Sequence, residues 1–415
     1  EGWNQRSKAA ATALAFVACL AGGALGCDKM RGDGGKKNGS GSGTAASGTG
    51  TGAGTGTAAP PSTGAILVGE YGSMTGAEAT FGQSTHNGIM LAVNERNAAG
   101  GVLGRKIDIK SYDTAGKTQE AGNAVTRLIT QDHVVAILGE VASSLSLAGG
   151  AVAQEKGVTM ITPSSTNEEV TELGDMISRV CFIDGFQGYV VARFARDNLK
   201  ATKIAVLTDK SAAYSVGLAE QFSKAFKEMG GEIVTEQTYN KGDVDYGAQL
   251  TSIRGKKPDA IFLPGYYTDV GNIALQARKL GIEVPFLGGD GWDSPQLATI
   301  AGKAIEGSYY SNHYSHEEQR PEVQEFVAKF QKAYGVVPDG LAALGYDAAR
   351  VLFDAMGRAG GLDGKALAAA IAATKDFAGV TGRLTIDENR HAKKAAVVLQ
   401  MKDGKPTFAA SIPAR

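Results

Sequence analysis

From Ala65 onward, short aliphatic runs alternate with stretches of helical periodicity, and this alternation constrains the fold more than any other feature. The runs read AILVGEY, KIDIKSY, VVAIL, VTMIT, KIAVLT, DAIFLP and VPFLG. They are apolar throughout rather than at every second residue, as in parallel strands covered on both faces. Between them lie amphipathic helices. Leu218, Phe222, Ala225, Phe226 and Met229 fall on one helical face, and Val323, Phe326, Val327, Phe330 and Tyr334 on another. Repeated β-α-β units of this kind predict a doubly wound α/β architecture. A chain of 415 residues exceeds one compact core. The runs group into one sheet over residues 65–183 and a second that starts near GFQGYVVARFARDNLKATKIAVLT. Two long helices, 320–334 and 340–357, and a terminal pair of strands, AAVVLQMKDG and KPTFAAS, suit either sheet.

The first residues follow a different logic. EGWNQRSKAAATALAFVACLAGGALGC carries Arg6 and Lys8, then an apolar run that ends in small residues at Cys27. That is the layout of a secretory leader. A membrane span is the competing reading, but the run is barely long enough and no stop-transfer cluster follows. ALGC resembles a bacterial lipobox, with Ala24 where leucine is usual, so residues 1–27 are expected to be a lipoprotein signal peptide and Cys27 the acylated residue. Residues 28–63 are Gly, Ser, Thr and Ala with little else, and bury too little apolar surface to offset chain entropy. They read as a disordered tether with a reach of about 30 Å. Cys19 leaves with the leader, and Cys181 reads as a small buried hydrophobe, so no disulfide framework is expected.

The formal net charge of −1, without a large basic block, excludes a nucleic-acid binder. SYDTAGKTQEA lacks the first glycine of a phosphate loop, with Ser111 in its place, and no GxGxxG opens a helix. Around Ser84, GQSTH lacks the second glycine of a hydrolase elbow. His86 is expected on a surface helix, and His313, His316 and Glu317 in NHYSHEE on a solvated connection. No cofactor and no metal site is expected.

In open α/β sheets, ligands bind beyond the carboxyl ends of the strands. GEVASSLSLA follows VVAIL and places Ser143 and Ser144 at a helix start. TPSSTNEE follows the next strand with Ser164, Ser165 and Thr166. Thr166 and Glu169 also have capping-box spacing, so each loop is a cap, an anion cradle, or both. Two helix N-termini on adjacent crossovers suit a carboxylate. In the second sheet, FLPGYYTD sets Tyr266 and Tyr267 past a strand, and FLGGDGWDS sets Asp290 past the next one with Trp292 close by. A carboxylate with aromatic rings suits an ammonium group. A ligand bridging both edges would carry a carboxylate and an amine.

The segments GSMTG with FG, N with GGVLGRKI, ITPSSTN, PGYYTDVG with QAR, and GGDGW resemble the periplasmic branched-chain amino acid-binding proteins, the Leu/Ile/Val-binding type I receptors of ABC transporters. The resemblance covers nearly everything after the tether. It implies two doubly wound, Rossmann-like lobes joined by three crossovers, with lobe 1 at 65–183 plus 313–378 and lobe 2 at 184–312 plus 379–415. It assigns the ligand carboxylate to the loops of Ser143, Ser164 and Thr166, and the ammonium to Asp290 with Tyr266. Tyr214 and Phe81 line the pocket. Where the family has Glu, this chain has Asp290; where a small aliphatic is common, it has Trp292; and the ends of the family disulfide fall near Gly116 and Ala142. The expectation is a monomeric, lipid-anchored periplasmic receptor, held at the inner membrane, that hands an apolar amino acid to the permease and ATPase subunits of an ABC importer and performs no chemistry. The same fold binding an amide or a carboxylate, as receptor or sensor, is the alternative, and a cleft hydrolase the remote one.

Overall fold

The computed structural model describes residues 64–414, so the leader, Cys27 and the tether lie outside the described residues. Five strands form the first sheet: β1 (Ile66–Gly72), β2 (Ile107–Asp113), β3 (Ala136–Leu138), β4 (Thr159–Thr162) and β5 (Ile177–Arg179), all parallel, in the order β2-β1-β3-β4-β5. Helices α1 (Ala79–Ala98), α2 (Thr118–Thr130), α3 (Ser143–Lys156) and the short α4 (Glu169–Glu172) connect them. β1 is buried along almost its whole length, as a central strand with helices on both faces must be.

After β5 the chain enters a second sheet through α5 (Asp184–Asp197). Here β6 (Lys203–Asp209), β7 (Glu232–Tyr239), β8 (Ala260–Phe262), β9 (Phe286–Gly288) and β10 (Tyr309–Asn312) alternate with α6 (Ala213–Glu228), α7 (Gly247–Lys256), α8 (Tyr267–Lys279) and α9 (Pro295–Ala301). Their order, β7-β6-β8-β9-β10, repeats that of the first sheet. Each sheet therefore has one point where the winding reverses, between β1 and β3 and between β6 and β8, and ligand sites form outside the strand ends at such points.

The chain then returns through α10 (Pro321–Tyr334) and α11 (Gly340–Ala359), and α11 packs along α1. α12 (Gly364–Ala372) leads to a small antiparallel sheet, β11 (Phe377–Gly379), β12 (Gly382–Ile386) and β13 (Ala392–Lys393). Arg390 ties that sheet to the first lobe, donating to the carbonyls of Ile177 at 3.0 Å and Thr171 at 2.7 Å. The boundary expected at residue 379 thus falls inside the small sheet, and the chain rejoins the second lobe only after Lys393. There β14 (Ala396–Lys402) and β15 (Lys405–Ile412) extend the sheet antiparallel beside β10.

The start of α11 joins the lobes. Asp339 caps it, accepting from the Ala342 amide at 2.8 Å and from the Ser84 hydroxyl at 2.5 Å. Asp293, from the second lobe, accepts from the Gly340 amide at 2.6 Å. The partial positive charge of a helix N-terminus favours both carboxylates, although burial and the charge of Asp293 still push Asp339 up to about 7.

Small residues set the distance between α1 and α11. A Cβ on Gly88 would overlap the Ala342 carbonyl, whereas Gly357, further along α11, faces open space. Gly88→Val should cost about 2–3 kcal/mol in chemical denaturation through forced separation of the helices. Gly357→Ala, in an exposed helical turn, should be stabilising by about 0.5–1 kcal/mol. Equal denaturation midpoints for the two variants would contradict this account.

Candidate functional site

The strand ends of both lobes meet in one cleft. In the second lobe, the Tyr214 ring, from the first turn of α6, stacks on Tyr266 at 5.3 Å and 8°. The Tyr214 hydroxyl accepts from the Gly291 amide at 3.1 Å. Phe81, from the start of α1 across the cleft, meets Tyr266 edge-on at 5.5 Å and Tyr267 at 5.2 Å. Such offset and edge contacts contribute beyond area burial alone. Burial first, then the charge of Asp290, pushes the Tyr214 phenol well above its ordinary pKa, so it stays neutral.

Asp290 opens a single 3₁₀ turn, Asp290–Trp292, directly after β9. It is buried, and both oxygens are engaged. Gln187 of α5 donates its side-chain N–H to Oδ1 at 2.8 Å, and His313 Nε2 lies 3.0 Å from Oδ2.

The hydroxyls of the first lobe divide into two groups. Ser165 is fully used inside the loop, donating to the carbonyls of Glu140 at 3.1 Å and Val141 at 2.9 Å. Ser143 accepts from the Asn167 amide at 3.4 Å, and Ser144 accepts from the Ala213 amide of the other lobe at 3.0 Å. Ser164 is buried with its hydroxyl unpaired, and the buried Thr166 hydroxyl is turned toward Asp184. Burying a hydroxyl unpaired is costly.

A second carboxyl lies beside these hydroxyls. Asp184, the first residue of α5, is fully buried with neither oxygen bonded, and the Thr166 hydroxyl faces it. Burial, followed by the nearby Glu168, raises its pKa well above the ordinary carboxyl value.

Five residues expected from the sequence, Phe81, Ser164, Tyr214, Tyr266 and Asp290, line one cavity together with Val141, Gly291 and Leu341. Its free space is about 10 Å³, room for one water-sized sphere. The lobes are closed over it. Thr80 and Ser294 hydroxyls meet at 2.9 Å, Thr268 donates to the Ala77 carbonyl at 2.6 Å, and Lys241 pairs with Glu78 at 2.7 Å. A ligand of several heavy atoms enters only if these contacts open or the walls shift.

Several expectations are corrected here. Trp292 does not face the cavity: it is fully buried, donates to the Leu263 carbonyl at 3.0 Å and packs on Gly288 and Tyr310. No capping box forms at Thr166, because α4 starts three residues later and is one turn long. The second helix N-terminus expected to receive an anion is therefore an irregular loop. His313 lies on no solvated segment, since its side chain is 0% exposed, while His316 beside it is half-buried. His86 is half-buried on α1, with Nδ1 2.7 Å from Glu70. The Cys181 thiol is fully buried and pushed up to about 12 by burial. Among the described residues no cluster could hold a metal ion, and no helix is long and apolar enough to cross a membrane.

Residues 65–406 match the family of periplasmic binding proteins. A leucine-binding protein, LivK, from Thermotoga maritima is 41% identical over 84% of this chain and 99% of its own, with a TM-score of 0.81. The branched-chain amino acid transporter substrate-binding protein LivJ from Streptococcus pneumoniae, solved with isoleucine, is 33% identical over 84% of this chain and 99% of its own, with a TM-score of 0.80. This chain belongs to the branched-chain amino acid-binding family of type I periplasmic binding proteins. A solute-binding protein of an ABC transporter from R. palustris, solved with benzoate, is 26% identical over 85% of this chain and 98% of its own, with a TM-score of 0.78.

Within this member of the family, one buried cation holds the hydroxyl loop. Arg179 donates to the Ser165 carbonyl at 2.6 Å and the Asn167 carbonyl at 2.7 Å. Its planar fork reaches several carbonyls at once, which a lysine cannot do. Arg179→Lys should lower stability by about 1.5–3 kcal/mol in denaturant titration. Faster amide exchange should appear at residues 164–168 before the rest of the first lobe. Unchanged exchange there would mean that the loop holds itself.

Proposed function

We propose that this protein is a solute-binding receptor for an amino acid, branched-chain or otherwise apolar, enclosed between the two lobes. The observation that carries the reading is that Ser164, of the hydroxyl loop, and Asp290, of the acidic turn, line the same cavity. Ser164 and Thr166 bring unused hydroxyls for a carboxylate. Asp290 and Asp184 bring negative charge for an ammonium, with Tyr214 and Tyr266 stacked beside them. The printed ligands of similar proteins, leucine-binding for one and isoleucine for another, agree with a zwitterion. The receptor binds and releases without chemistry. The family implies an extracytoplasmic location. Acylation of Cys27, anchoring at the inner membrane, a monomeric state and delivery to the permease and ATPase subunits of an ABC importer complete the proposal.

An aromatic carboxylate is the second reading. The benzoate-bound relative and the ring-lined wall of the cavity favour it. The Asp290 carboxylate in the cavity wall opposes it, because its charge would repel a plain anion.

A thermal-shift panel on the full-length protein separates the readings. Leucine, isoleucine and valine should raise the melting temperature by mass action, and isocaproate and benzoate should raise it far less at the same concentration. Asp290→Ala should weaken amino acid binding by about 3–5 kcal/mol in calorimetry, as when one partner of a buried pair is removed. A shift from benzoate alone would reverse the assignment.

Asp184 adds a pH dependence. Its raised pKa means that it keeps its proton to higher pH than an ordinary carboxyl, and an ammonium beside it favours the ionised form. Ligand binding therefore releases protons, and affinity should rise with pH through the range in which Asp184 titrates. Asp184→Asn should flatten that rise. A wild-type affinity that does not change with pH would count against Asp184 as an ammonium partner.

A further inference from the structure

His313 is the first residue after β10, where the chain leaves the second lobe. Its ring stacks on Phe182, which lies on the connection between β5 and α5, with centroids 3.7 Å apart and planes 23° apart. Lys394, on the connection between β13 and β14, acts on the same ring with its positive charge. Two of the three passages between the lobes thus meet at one imidazole, and the charge on the third reaches it. It is completely buried, with Nε2 3.0 Å from Asp290 Oδ2 and Nδ1 without a partner.

The proton's place follows from these contacts. A carboxylate oxygen is an acceptor only, so Nε2 must carry hydrogen to bond it. Nδ1 faces no acceptor, so the neutral ring leaves it bare. Burial and then the charge of Lys394 push the ring down to about 4, which keeps it neutral over the ordinary range. Gln187 holds the other oxygen of Asp290 from α5. The carboxylate is therefore clamped from two directions before any ligand arrives, and such ordering lowers the cost of binding. A histidine that only filled the core would need neither this contact nor a place where the connections meet.

We propose that His313 is a positioning residue that fixes the Asp290 carboxylate to the inter-lobe hinge and thereby sets recognition of the ligand's ammonium group. This rests on the amino acid reading above. Its distinguishing property is selectivity, because the His313 contact acts on the amine and leaves the carboxylate end untouched.

The test compares an amino acid with the same molecule lacking its amine, leucine with isocaproate in the first instance, or the amino acid with the largest melting shift and its deaminated acid. Calorimetry is run on full-length wild type, His313→Leu and His313→Gln, each with and without Asp290→Asn. His313→Leu should weaken the amino acid about tenfold or more relative to the acid, as expected for loss of a bond to a charged group. His313→Gln keeps an N–H donor and should hold the ratio within about threefold of wild type. In the Asp290→Asn background, His313→Leu should leave the ratio unchanged, since the two act as one unit. Should His313→Leu fail to fold by melting curve, His313→Asn, polar but too short to reach Asp290, serves in its place. Equal losses for both ligands, or a ratio change that persists without Asp290, would overturn the proposal. A wild-type preference for the amine that survives His313→Leu overturns this inference alone, and no preference in wild type removes the amino acid reading and this inference together.

Discussion

A carboxylate excluded from water has to be given donors, and Asp290 obtains them from two parts of the chain. Gln187 reaches it from the first helix of the second lobe, His313 from the strand exit, and its own turn fixes the backbone. Each donor occupies its place because β9 and β10 are neighbours in the middle of the seven-stranded sheet and α5 packs against them. The aromatic wall follows from the same arrangement, since the Tyr214 hydroxyl accepts from the amide of Gly291, one residue on from Asp290. The acidic end of the site is a property of the sheet and its connections together, whereas the hydroxyl end is a loop secured by Arg179.

The fold was legible because fully covered parallel strands leave a continuous apolar signature. β1, β3, β4, β6, β8 and β9 are all visible in the sequence on that basis. β5, whose residues are ISR, and β10, YYSN, are not. A charged or polar side chain in a three- or four-residue strand removes the apolar run on which the reading depends. Arg179 is tolerated there only because its guanidinium finds backbone carbonyls. The small sheet of β11, β12 and β13 escaped for a related reason: its strands are short and antiparallel, and Arg390 anchors it where no periodicity could indicate.

The same blind spot explains what was missed in the site. Searching the loop beyond each strand located Ser164, Tyr266 and Asp290. The segments beyond β5 and β10 carry Asp184, in FIDGFQG, and His313, in NHYSHEE, and a strand that is not seen yields no strand end to search. Trp292 misled in the opposite direction. An aromatic two residues beyond a binding carboxylate looks like a pocket wall, but the 3₁₀ turn rotates it inward onto Gly288. Leu341 was beyond any local pattern, because its place in the cavity depends on a helix returning from far along the chain.

That turn carries a second carboxylate three residues further on. Asp290 faces the cavity, while Asp293 is bonded to the first amide of α11 in the opposite lobe. One short turn therefore carries both the carboxylate that lines the cavity and the carboxylate that holds the head of a twenty-residue helix across the cleft, so neither can be displaced without straining the backbone they share.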